Sequence, residues 1–305
     1  MEDIKNINVS DIHESLKSAG YCSNEDIDYA ILAEEVTHKP LLLEGFPGVG
    51  KTSLAQAFAK AKGLPFIRVQ MYDGLTDDKI LYDYDYQRQL LTLESVKPIL
   101  EREQQGKTLS EAIRDGAKNL DFYGRDFMIE RPVLKSIDGK GQKVLLFDEM
   151  DKAPEEIEYM LYEFLENYSI SIPQYGTITC PEDQIPYVFI TSNGYRNLSD
   201  AFKRRCLYLF IPKKTKDELV EILMTGATTD KNVAQAVAEC IYRAGNANLH
   251  QQISVAEGAE WARFLSRYPE RTKEAVMGSL SLIVKDQRDK ETIKRIVADS
   301  GRELW

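Results

Sequence analysis

The stretch Leu41-Leu42-Leu43-Glu44-Gly45-Phe46-Pro47-Gly48-Val49-Gly50-Lys51-Thr52-Ser53 leaves few folds open to the chain that carries it. Pro40 and three leucines read as the start and body of a buried strand. From Ser53 to Ala61 the apolar residues recur at helical spacing. Between strand and helix, Gly45 to Thr52 fits the pattern GxxxxGK[ST]. Glycines in such a turn let successive backbone N–H groups converge on an anion, in conformations that a side chain would block. The helix that follows presents its positive N-terminal end to the same anion. Lys51 can reach the outer phosphates of a nucleotide, and the Thr52 hydroxyl can ligate Mg2+. A chance glycine turn would lack this strand–loop–helix setting. Gly45, Pro47, Gly48, Val49, Gly50, Lys51, Thr52 and Ser53 are therefore the predicted phosphate cradle.

Four further apolar runs read as strands: "PFIRVQM" from Pro65, "VLLFDEM" from Val144, "PYVFITSN" from Pro186 and "CLYLFIP" from Cys206. Helical stretches lie between them, notably "PEEIEYMLYEFLENY" from Pro154. Strands alternating with helices imply a parallel sheet covered on both faces. From Lys213 onward only helical patterns remain. The expected organisation is an N-terminal helical segment over 1–37, an α/β core over 38–212 and a small all-helical unit over 213–305. Two stretches break the alternation. Residues 81–96 alternate in their first half, and 168–183 read as two short strands around "PQYG". Both resemble β-hairpins inserted into the core, near 81–130 and at 168–183, with a helical excursion over 97–120 between them.

The run Val-Leu-Leu-Phe ends in Asp148 and Glu149, which places two carboxylates at the C-terminal tip of a buried strand. Ligands of open α/β sheets bind at that edge. Asp148 is predicted to hold Mg2+ through water, with Thr52 as the other metal-side residue, and Glu149 to orient or deprotonate an attacking water. Asn193 ends another apolar strand, where its amide could position that water. Asn also simply favours turns. Lys203, Arg204 and Arg205 then precede the last strand. Such a cluster is either a solvated basic face or the source of an arginine that reaches a neighbouring subunit's γ-phosphate.

Forty-nine acidic against 39 basic side chains give a formal net charge of −10, which argues against a broad non-specific nucleic-acid surface. Cys22, Cys180, Cys206 and Cys240 form no CxxC pair, and three histidines supply no metal-ligand spacing. The cysteines are expected to be reduced. The start "MEDIKNINVS" is no signal peptide, and no apolar run nears the ~20 residues that span a bilayer. A soluble, cytoplasmic protein is expected.

At this point the chain resembles the AAA+ ATPases and, within them, the CoxD-like branch of the MoxR-type group. The likeness rests on "GFPGVGKTSLA", "YDYDYQRQLL", "VLLFDEMDKAPEE", "LENYSISIPQYGTI", "ITSNGYRNLSDAFKRRCLYLFIP" and "SVAEGAEWARFL", and it spans most of residues 41–265. It implies a P-loop NTPase core with a helical lid, assembled as a homo-hexamer. It makes Asn193 a sensor and favours Arg205 over Arg204 as the finger. It makes 81–96 the insert in the second core helix and 168–183 the hairpin before the sensor strand. It implies ATP rather than GTP, in keeping with the lack of an Asn-Lys-x-Asp stretch. It further implies a remodelling chaperone that acts with a von Willebrand factor A-domain partner on a protein client, in complex assembly or in metal or cofactor insertion. One departure stands out. Where many relatives carry a lid arginine, "QISVAEGAEW" offers Ala256 or Glu257, and no arginine appears before Arg263. Two other functions suit the same fold. A nucleic-acid-directed motor or restriction or defence NTPase would want basic or aromatic residues on the hairpins, and "SISIPQYGTI" offers Tyr175 but no Lys or Arg. A slow nucleotide-gated scaffold is the third, against which Glu149 speaks.

Overall fold

The computed structural model describes residues 8–103, 121–268 and 272–300. In chain order its strands are β1 (Leu41–Gly45), β2 (Phe66–Gln70), β3 (Tyr82–Tyr84), β4 (Met128–Glu130), β5 (Val144–Asp148), β6 (Ser169–Ile172), β7 (Gly176–Thr179), β8 (Tyr187–Ser192) and β9 (Leu207–Ile211). The helices of the first two-thirds are α1 (Val9–Ser18), α2 (Glu25–Thr37), α3 (Lys51–Lys62), α4 (Asp77–Ile80), α5 (Tyr86–Glu103), α6 (Pro132–Ile137), α7 (Glu155–Asn167) and α8 (Asp200–Lys203). The C-terminal third holds α9 (Lys216–Gly226), α10 (Lys231–Asn246), α11 (Val255–Arg267), α12 (Lys273–Gly278) and α13 (Lys290–Ser300).

The five long strands form one parallel sheet in the order β2-β5-β8-β1-β9. Every residue of β5 and β8 is buried, which is why both read as near-continuous apolar runs. Their side chains divide by the strand period of two. Leu41, Leu43, Val144, Leu146 and Phe189 pack with α1, α2 and α3. Leu42, Leu145, Phe147, Val188 and Ile190 pack with α6 and α7, through Leu134, Leu161 and Phe164. Full burial of one such side chain contributes roughly 1.5–3 kcal/mol. The sheet thereby holds the C-terminal ends of β1, β5 and β8 side by side.

The first insertion differs from a simple hairpin. Asp85 stops the strand-like alternation and caps α5, its carboxylate accepting from Arg88 N at 2.9 Å. The antiparallel partner of β3 is β4, with Tyr84 opposite Met128. The segment between the two strands begins with helix α5, on which Leu90, Leu91 and Leu93 are exposed. Residues 104–120, most of the expected helical excursion, lie outside the described residues. The second insertion is a hairpin, β6 against β7, turning through Gln174 in the left-handed region at φ 64°.

After β9 only helices follow among the described residues. They pack around Trp261, whose indole N–H donates to Ser279 Oγ at 2.8 Å. Two of them start with reciprocal caps, Thr215 with Glu218 and Ser254 with Glu257. All four cysteines are free. No described helix is long and apolar enough to cross a membrane.

Candidate functional site

Gly48 (φ 80°) and Gly50 (φ 101°) carry the loop from β1 into α3 in backbone conformations that other residues rarely adopt. Gly50 is the N-cap of α3. Val49 turns its side chain into the core. Lys51 lies almost wholly buried at the helix start. Its ammonium donates to Gly45 O at 2.8 Å, Phe46 O at 2.9 Å and Asn193 Oδ1 at 2.8 Å. Burial pushes Lys51 down to about 8, against the upward pull of Asp151, Asp148 and Glu149.

Asp148 ends β5 and is buried. Its Oδ1 accepts from Thr52 Oγ1 at 2.9 Å and from Thr191 Oγ1 at 2.6 Å. Its Oδ2 stands 2.6 Å from Arg68 Nη2. Glu149 follows in the left-handed region, φ 61°, an uncommon state for a residue with a side chain. Its amide donates to Thr191 Oγ1 at 2.8 Å. Three donors hold its carboxylate: Gln70 Nε2 at 2.8 Å, Lys152 Nζ at 2.8 Å and Asn193 Nδ2 at 3.2 Å. The buried Asp151 fixes the loop after β8, accepting from Asn193 N at 3.1 Å and Tyr195 N at 2.9 Å.

Lys51, Thr52, Arg68, Gln70, Asp148, Glu149, Thr191 and Asn193 line a cavity of about 490 Å³ that also takes in Pro47, Ser53, Tyr21, Cys22, Ala256, Ala259 and Arg263. A larger cavity of about 810 Å³ lies beyond the loop tip, among Phe46, Tyr195, Tyr242 and His250. It contains neither Lys51 nor the two carboxylates, so the smaller one is the candidate site. Above the loop, the start of α11 comes so close that a Cβ on Gly48 would meet Ser254 Cβ at 2.8 Å. Ala256 lines the cavity, while Glu257 caps Ser254. Arg263 reaches no further than the carbonyl of Gly226, at 3.3 Å.

Of the predicted site residues, seven of the loop (Pro47 to Ser53) and Asp148, Glu149 and Asn193 share one cavity; Gly45 lies behind it, its carbonyl accepting from Lys51. Arg204 and Arg205 do not line it. Arg204 is exposed. Arg205 lies over the Tyr162 ring at 4.3 Å, pairs with Glu166 at 3.0 Å and donates to Ala201 O at 2.8 Å. Sequence reasoning missed Arg68, Gln70, Asp151, Lys152 and Thr191. The signal for the first two was available: a polar residue at alternate positions interrupts "PFIRVQM", which a strand buried on both faces does not do.

Residues 40–206, more than half of the chain, match the family described as AAA domain (dynein-related subfamily). The chain is 26% identical over 280 residues to Midasin of Giardia intestinalis, an alignment covering 85% of this chain and 5% of that protein. It therefore spans a small fraction of the length of this relative. The matched span begins at Pro40, before β1, and ends at Cys206, after both arginines. With an α/β P-loop core and a helical lid, the chain belongs to the dynein-related AAA domains, a subfamily of the nucleotide-binding AAA+ ATPases.

Proposed function

We propose that this chain is a MoxR-type, CoxD-like ATPase that binds ATP with Mg2+ and hydrolyses it as one subunit of a homo-hexameric ring. The ring would act in the cytoplasm with a von Willebrand factor A-domain partner, remodelling a protein client during complex assembly or metal or cofactor insertion. The observation that carries hydrolysis is the meeting of Lys51, Asp148, Glu149 and Asn193 on one cavity.

Thr52 and Asp148 offer a hydroxyl and a carboxylate oxygen 2.9 Å apart, a donor set that suits Mg2+. Among the described residues no group of three or more His, Cys, Asp or Glu could hold a metal. Mg2+ needs none here, since one carboxylate, water and substrate phosphates suffice. When bound, Mg2+ neutralises charge on the outer phosphates. Lys51 faces the same phosphates and gives them a second cation. Glu149 takes a proton from the attacking water, for which it gives up part of its contact with Gln70 or Lys152. Asn193 ties the phosphate-side lysine to that carboxylate and so sets their separation.

The trans role for Arg205 draws support from its distance from its own loop's cavity and from its place just before β9. The client-facing role draws support from the insertions. Tyr84 donates from its hydroxyl toward Tyr123 O and Pro173 O, each at 3.4 Å, so the tyrosine cluster around β3 touches the turn of the β6–β7 hairpin. Tyr86, Tyr123 and Tyr175 are exposed there. Ser169 to Thr179 contains no Lys or Arg, which weighs against a nucleic-acid track. The test is a pair of variants. Lys51→Ala is expected to lose ATP affinity, and Glu149→Gln to keep binding and lose turnover. Equal loss of affinity in both, or no ATPase of the wild type at any protein concentration, would overturn the proposal.

A further inference from the structure

The two oxygens of Asp148 serve different neighbours. Oδ1 is shared by two hydroxyls, Thr52 and Thr191. Oδ2 is held by a cation, Arg68 Nη2 at 2.6 Å. The same Nη2 donates to Gln70 Oε1 at 2.8 Å, and Gln70 Nε2 donates to Glu149 Oε2 at 2.8 Å. One bonded path thus runs from Asp148 through Arg68 and Gln70 to Glu149. The two ends of the ion pair are unequally placed. The Asp148 side chain is 3% exposed, while that of Arg68, on the edge strand β2, is 46% exposed.

A buried carboxylate needs a counter-charge, because desolvation penalises its ionised form. Arg68 supplies one, and its exposed stem lets the guanidinium move into water at little cost. A second cation at the same carboxylate would repel the first, since like charges a few ångströms apart interact strongly away from bulk water. We propose that Arg68 is a charge placeholder for the metal at Asp148. Metal uptake displaces its guanidinium, and that displacement releases the Gln70 amide from the arrangement that holds Glu149. Arg68 is on this account a positioning residue that couples metal loading to the freeing of Glu149. The inference rests on the nucleotide-site reading above.

Mn2+ is the probe, titrated into the full-length wild type and into Arg68→Ala and Arg68→Lys at saturating AMP-PNP, with bound metal read by electron paramagnetic resonance. The placeholder requires that removing the arginine tighten Mn2+ binding, by about three- to tenfold for a half-exposed charged pair. Arg68→Lys, which keeps the charge, is expected to fall between. A residue that merely shapes Asp148 would give the opposite sign. Binding of mant-labelled AMP-PNP with saturating Mn2+ reports on the nucleotide site separately. Should Arg68→Ala not fold, Arg68→Gln removes the same charge and replaces it. Unchanged or weaker Mn2+ binding in a variant that still takes mant-AMP-PNP would overturn the placeholder and leave the nucleotide site standing. A wild type that takes no mant-AMP-PNP would overturn both.

Discussion

The side-chain oxygen of Asn193 accepts a hydrogen bond from the Lys51 ammonium at 2.8 Å, tying the end of β8 to the start of α3. The amide nitrogen of the same residue donates to Glu149 at 3.2 Å. Asn193 is thus the strut between the phosphate-side cation and the proposed base. Asn193→Ala is expected to lower kcat on the order of 10²-fold, the usual cost of one positioned donor, with nucleotide affinity nearly kept. Asn193→Asp adds a negative charge beside the phosphates and is expected to weaken ATP binding as well. Steady-state ATPase together with fluorescent-nucleotide titration separates the two. Equal behaviour of both variants would show that the strut is not what matters.

Arg205→Ala subunits are expected to bind ATP normally and hydrolyse it poorly, with a loss of roughly 10³- to 10⁵-fold if the arginine acts as a finger. Mixing them with Lys51→Ala subunits should restore part of the activity, because some interfaces then pair an intact loop with an intact arginine. The wild-type rate per subunit should also rise with protein concentration. A rate independent of concentration, with no rescue on mixing, would remove Arg205 from the reaction and make Arg204 the residue to test next.

Nucleotide affinity is expected to fall as pH rises above about 8. In the free protein, burial holds Lys51 near 8 instead of its ordinary 10.5. The phosphates of a bound nucleotide pull it back up. Binding above pH 8 therefore takes up a proton, and the affinity drops by up to about tenfold per pH unit. Between about 8 and 10.5 the unfolded chain holds this proton more firmly than the fold does, so the ligand-free protein gains stability from Lys51 as pH rises. Calorimetry at pH 8.5 in two buffers of different ionisation heat should show the uptake, and at pH 6.5 none from this group. Identical apparent heats at pH 8.5 would contradict the assignment.

Glu34 on α2 is buried and holds Val188 N at 3.0 Å through one oxygen. Desolvation raises it well above the ordinary 4.5, and neighbouring Glu35 adds to the rise. With the folded value raised, its contribution is fully present below about pH 4.5 and is lost as pH climbs through the folded value. Glu34→Gln cannot ionise. The melting temperature of the variant minus that of the wild type should therefore increase from pH 4.5 to pH 8, on the order of 5 °C in all. Parallel melting curves across that range would show that Glu34 does not titrate with folding.

Much of the core was legible because β5 and β8 are buried on both faces and so declare themselves as apolar runs. Asp148, Glu149 and Asn193 stood out as polar residues at the ends of such runs. The rest depended on partners remote in sequence. The three residues of β4 show no pattern by themselves, and their pairing with β3 closes a long loop. The polar alternation of β2 marks Arg68 as unusual, but its role comes from Asp148, which the sheet brings beside it from the end of β5. Thr191 reads as one more strand residue until Asp148 and the Glu149 amide are seen to share its hydroxyl. Asp151 reads as surface charge until its oxygen is found on two backbone amides. The close approach of Ser254 to Gly48 was not legible either, because it joins residues about two hundred positions apart.

That approach has a consequence of its own. The Cβ and Cα of Ser254 face Gly48, and a methyl on the glycine would come within 2.8 Å of that Cβ. Phosphate loop and lid helix therefore work like the two faces of a closed vice. One added methyl at position 48 would force the loop or the start of the helix to give way. The seating of that helix against the loop is therefore written into the sequence as the absence of a single side chain.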